Sequence, residues 1–215
     1  GSVNLVRSVE ASLTRLGTDR IDVLYLDGQD STSNLEDTLA TCEWLLEAGK
    51  IRYLAASRFS AERLVEARIL VSAGYPRISV LETHYSLLNR KPFEGDLRLV
   101  TGAQGMAVTP THSLEHGFLS GRHRTRSRLG QGARSVQLRS NLNRRGTRVL
   151  RAMDAVAEER GVPVAAIALA WVLAQRGVVA PIVSAFETLH VDELVQGVGV
   201  RLSRANLAEL TRAGE

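Results

Sequence analysis

The chain contains one cysteine among its 215 residues, which excludes an internal disulfide. That residue, Cys42, falls at helical spacing with Leu35, Leu39 and Leu45/Leu46, where a free thiol packs as a small hydrophobe. A reducing, cytoplasmic setting is the expectation that goes with it. No apolar run approaches the roughly 20 residues that cross a bilayer, so membrane insertion is not expected. The first residues also lack a basic-then-apolar leader pattern. Aromatic residues make up 5% of the chain, and no Phe, Tyr or Trp interrupts the arginine-rich stretch Arg122–Arg145. Single-strand nucleic-acid binding relies on bases stacked on aromatic rings, so that partner is disfavoured. The stretch reads as a solvated functional loop, with a grip on the phosphates of a nucleotide or coenzyme A as the alternative. No pair of histidines or cysteines has the spacing of a zinc motif, and no metal is expected.

What the chain does have is alternation. Ile21–Leu26 and Ile51–Ala56 are apolar runs of strand length, and the segment between them has helical periodicity. Ser33 with Glu36 predicts a capping box at the start of that helix, and Gly49 predicts its end. Strand, helix and strand in this order predict a parallel βαβ unit. Further strands are expected at Ile78–Glu82, Met106–Thr109 and Val178–Val183. Helices are expected over 3–16, 60–73, 93–101, 147–160, 163–175, 189–196 and 204–212, the last capped by Ser203. Trp44 and Trp171 sit among apolar helical neighbours and are expected in the core. The stretch from Thr111 to about Arg145 is too long for an ordinary connection. Near-continuous apolar strands alternating with helices give a parallel α/β fold, in which ligands bind at the carboxyl ends of the strands.

Five segments, LGTDRIDVLYLD, LEAGKIRYLAASRFS, HYSLLNR, HGFLSGR and AIALAWVLAQRGVVAPIVSA, in this order, resemble the aldo-keto reductases. The resemblance implies a (β/α)8 TIM-barrel fold, with residues 1–215 forming one barrel domain from the helix before the fourth barrel strand onward. About five of eight strands are then present. Five strands leave two open edges, so either the protein is longer than this sequence, which is the preferred reading, or the barrel is completed some other way; a homo-oligomer is among the expected partners.

The family activity is NADPH-linked reduction of an aldehyde or ketone, so the resemblance implies NADP as cofactor and a small-molecule substrate. The same comparison places Asp27 where the family carries a substrate-orienting histidine. Ser57 and Arg58 stand at its nicotinamide-binding Ser-Asn pair, Glu82 at a glutamine and Thr111 at a stacking tyrosine. Leu114 and Gly117 keep the pyrophosphate loop, in which Glu115 and His116 replace small or basic residues. At the adenosine end the family pattern GARTPEQLEEN becomes SAFETLHVDEL, which opens at Ser184: Glu193 is kept, Phe186 replaces an arginine, His190 a glutamine or arginine, and Leu194 an asparagine. An ionised Asp27 accepts hydrogen bonds only and cannot donate one to a carbonyl. These departures predict that NADPH-linked reduction is impaired or lost, with no cofactor as the limiting case. Two further readings follow from the residues. Asp27 and Glu82, with His84, His112, Asp30 and His116 near them, suit acid/base work on a small polar substrate. Open edges and a basic loop suit a non-catalytic partner-binding protein.

Overall fold

A computed structural model describes residues 2–28, 34–125 and 133–215. The elements run α1 (Ser2–Leu16), β1 (Ile21–Asp27), α2 (Leu35–Glu47), β2 (Ile51–Ser57), α3 (Ala61–Ser72), β3 (Ile78–His84), α4 (Asp96–Ala103), β4 (Ala107–Thr111), a 3-10 segment (Glu115–Ser120), α5 (Ala133–Asn141), α6 (Arg144–Arg160), α7 (Val164–Leu173), α8 (Thr188–Gly199) and α9 (Arg204–Ala213). The strands form a parallel α/β sheet in the order β1-β2-β3-β4, part of the (β/α)8 pattern. The chain divides into two compact units, residues 1–83 with 95–108 and residues 84–94 with 109–215.

In the first unit, β2 lies between β1 and β3, with Asp27 in register with Ser57 and Ser57 with Glu82. The three strands thus bring their polar ends level. Leu35, Leu39, Cys42 and Leu45 form the buried stripe of α2, as their spacing predicts. Burial pushes the Cys42 thiol up to about 12. The helix is capped by Asn34, whose side chain accepts from the Glu36 backbone N–H at 2.8 Å; the expected cap Ser33 lies outside the described residues. Trp44 is 49% exposed, contrary to expectation. Its position falls between those of the buried stripe, and its ring lies along the outer face of α2, under the Lys50 ammonium.

In the second unit, α7 is buried from Ala165 to Val172, so burial runs all round the helix. Trp171 is core as predicted. Its ring packs 5.5 Å from Tyr85, and its indole N–H donates to Thr211 at 3.0 Å. The expected fifth strand does not form. Apart from a single bridge residue at Val178, the stretch to Val183 is irregular; Val178 N–H bonds the Gln175 carbonyl at 3.2 Å, and Ile182 N–H bonds the Pro110 carbonyl at 2.7 Å. Pro181 and Pro110 both lack the N–H that a ladder needs. The stretch after Thr111 is not a bare loop either, since it carries the 3-10 segment and α5. Among the described residues no helix is long and apolar enough to cross a membrane.

Candidate functional site

The end of β1 turns sharply. Gly28 donates its N–H to the Ser57 carbonyl at 2.8 Å, and a Cβ there would stand 2.6 Å from the Phe59 ring. Beside this turn Arg58 takes a positive φ of 59° and donates its backbone N–H to the Glu82 carbonyl at 3.2 Å. That conformation aims its guanidinium at Asp27, with Nη2 2.5 Å from Oδ2. Both side chains are about half exposed. Asp27, Ser57, Arg58 and Glu82 therefore meet at the strand ends of the first unit, with Asp27 held as an ion-paired carboxylate. Asp30, expected near them, lies outside the described residues.

The second unit holds a cavity of about 620 Å³, within the range of small-molecule sites. Thr111, Leu114, Gly117, Ser184, Phe186, His190 and Glu193, all singled out in the sequence, line it together with Ser113, His112 and His116. Its first wall is the turn from β4 into the 3-10 segment. His112, Glu115 and His116 take positive φ values of 54°, 47° and 58°, and Gly117 one of 102°. Few side chains tolerate that backbone, which is strained and frequent at functional turns. Phe186 is 72% exposed at the lip. Its backbone N–H reaches His190 Nδ1 at 3.4 Å.

Two buried polar groups mark this wall. Ser113 is 1% exposed, and its hydroxyl has no hydrogen-bond partner among the described residues. A buried hydroxyl without a partner costs free energy, which a ligand accepting its hydrogen bond would recover. Glu115, by contrast, is fully engaged. His84 Nε2 lies 2.8 Å from its Oε1, and the Ser86 hydroxyl donates to the same oxygen. Burial pushes the Glu115 carboxyl up, but the His84 and Ser86 hydrogen bonds and the charges of His84 and His116 bring it below its ordinary value. An ionised carboxylate only accepts, so His84 donates through Nε2.

Sequence reasoning passed over Ser86 and the burial of Glu115, and it missed how the arginines are used. Arg122 Nη2 bonds Glu193 at 2.7 Å, which ties the chain after the 3-10 segment to α8. Arg124 forms a two-pronged pair with Asp154 at 2.8 and 2.6 Å. Arg145 and Arg148 donate to the last carbonyls of α9, Gly214 O and Ala213 O. These four arginines make their bonds within the second unit. Arg126 and Arg128 lie outside the described residues.

The sequence profile of the aldo/keto reductase family matches residues 2–215. The chain belongs to this family. Curated relatives include aldo-keto reductase AFTS1 of Alternaria alternata, 29% identical over 93% of this chain and 54% of its own length. The probable aryl-alcohol dehydrogenase AAD4 of Saccharomyces cerevisiae is 29% identical over 91% of this chain and 60% of its own length. Norsolorinic acid reductase of Aspergillus flavus is 28% identical over 96% of this chain and 51% of its own length. This aldo/keto reductase chain thus spans about half the length of the curated relatives it matches.

The cavity suits a nucleotide in donor chemistry. Hydroxyls of Thr111, Ser113 and Ser184, imidazoles and a glycine-containing turn can surround phosphates, while Leu114, Phe186 and Leu194 offer apolar contact to a base.

Proposed function

We propose that this chain binds a nicotinamide dinucleotide in the cavity of its second unit and serves the interconversion of a small carbonyl compound and its alcohol. The observation that carries this reading is the partnerless, buried hydroxyl of Ser113, set in a cavity wall built from the residues that the family resemblance assigns to the cofactor. When bound, the cofactor supplies the hydride. This chain's residues supply its seat: hydroxyls and imidazoles for the phosphates, and Arg122 anchoring Glu193 beside it. A relative named for an aryl alcohol fits an aromatic substrate.

The reduction step itself is weak in this chain under the same proposal. The position that resemblance gives to a hydrogen-bond-donating histidine is Asp27, an acceptor already paired with Arg58. The test is a titration of protein of verified intact mass with NADPH, followed by nucleotide fluorescence, then a screen of aromatic aldehydes for loss of nicotinamide absorbance. Binding with a dissociation constant between about 1 µM and 1 mM, with slow or absent turnover, is the expected outcome. A folded protein that leaves NADPH fluorescence unchanged throughout would overturn the reading.

A further inference from the structure

All five histidines of the chain stand in or against one cavity. His112, His116, His123 and His190 line it. His84 packs its ring 5.0 Å from His112 and 6.4 Å from His116, and those two rings are 4.5 Å apart. Fixed positive charge is scarce by comparison. Arg122, the arginine of the lining, is paired with Glu193. Glu187 adds a carboxylate at the mouth, 4.0 Å from His190 Nε2. With neutral imidazoles the lining therefore carries one arginine against two glutamates, which does not favour an anion.

We propose that the cavity recognises the phosphates of its ligand through protonated histidines, so that its affinity for a phosphate-bearing anion rises as pH falls through the neutral range. This rests on the nucleotide reading above and adds the chemistry by which that site holds charge. Histidine is the side chain whose charge ordinarily changes between about pH 5 and 8. A protonated ring donates from both nitrogens, and such charge-assisted bonds to phosphate are among the stronger polar contacts.

The groups facing the cluster set its limit. His84 and Ser86 come from β3 and the turn after it, Glu115 bonds both, and Arg122, Glu187 and Glu193 belong to the same lining as His112 and His116. Adding protons to all three clustered rings is opposed by like charge at these distances. Glu115 compensates one proton, and the bound phosphates compensate more. Binding is thus linked to the uptake of about one proton, which corresponds to about tenfold in affinity per pH unit above the histidine range. Ser113 adds a neutral donor at the same wall.

Isothermal titration of the intact chain with two probes tests this. ADP-ribose carries a pyrophosphate diester whose charge is constant across the range, and adenosine carries no charge. ADP-ribose should bind about tenfold more tightly at about pH 6 than at about pH 8, with net proton uptake, while adenosine binding stays level. Replacing His112→Asn and His116→Asn together should flatten the ADP-ribose profile. ADP-ribose affinity that agrees within about twofold at the two pH values overturns the proposal from the wild-type chain alone, whatever the variant's folding. Binding of neither probe at any pH overturns the nucleotide reading and this proposal with it, whereas pH-independent binding overturns only the latter.

Discussion

Ser113 and Glu115 are two residues apart on the same turn and make opposite demands. Ser113 has a hydroxyl with nothing to bond, so removing it takes no hydrogen bond from the described fold. Ser113→Ala should leave the urea midpoint unchanged or slightly raised, yet weaken dinucleotide binding by about 1 kcal/mol, or about fivefold. A large fall in stability would mean that the hydroxyl serves the fold instead. Glu115 is buried and doubly bonded, and its carboxyl sits below its ordinary value. A depressed folded-state value means that its contribution is present above the unfolded carboxylate range and is lost as pH falls through the folded value. Glu115→Gln should therefore cost about 2 kcal/mol at neutral pH in urea unfolding, and the gap to wild type should close in acid. A gap that widens in acid would reverse the sign of this argument. Cys42 was legible from spacing alone, because one apolar stripe fixes one buried position. Glu115 was not. A lone glutamate between Leu114 and His116 has no periodicity to betray it, and its burial depends on His84 and Ser86, some 30 residues earlier.

At the scale of elements, local chemistry carried most of the reading. The α6 stripe of Val149, Leu150, Met153 and Val156 and its Gly161 end follow their pattern, as does the Ser203 cap of α9. That cap does more than its sequence suggests. Asn206 completes a capping box with Ser203, accepts from Arg160 at 2.6 Å and donates to Glu159 at 3.0 Å, which clamps α9 onto the end of α6. Ser203→Ala should cost about 1 kcal/mol, the ordinary price of a lost cap. Asn206→Ala should cost about 2 kcal/mol, because it removes the two side-chain bonds to α6 together with its half of the capping box. Equal losses in chemical denaturation would mean that the clamp adds nothing to the cap. The failure at Val178–Val183 is instructive in the same terms. Its apolar run is strand-like, but pairing is a property of two segments, and prolines stand in both. Strand β3 erred the other way, running on through Thr83 to His84. That extension carries His84 to the wall where Glu115 holds it.

At the scale of the whole molecule, assembly turns on β1. In the described sheet β1 is a terminal strand, paired with β2 alone. A terminal strand presents a row of backbone donors and acceptors to any further strand, and charge is the usual protection against that. Here Asp22 and Asp27 are exposed along β1, yet each has a cation beside it, Arg20 at 3.7 Å and Arg58 at 2.5 Å. Paired charges repel an incoming strand less than bare ones, and exposed Tyr25 between them adds apolar area. The chain should therefore associate reversibly. Light scattering behind size exclusion should give a mass above 23.4 kDa that rises with loading. Tyr25→Lys places an uncompensated charge at the centre of the strand and should return the mass to that of a single chain. A wild-type mass that stays at one chain across all loadings would show that the two aspartates protect the edge even when paired. Association that survives Tyr25→Lys unchanged would place the contact on another surface, for which the exposed apolar side of α8, with Leu189, Val191, Val195 and Val198, is the next to mutate.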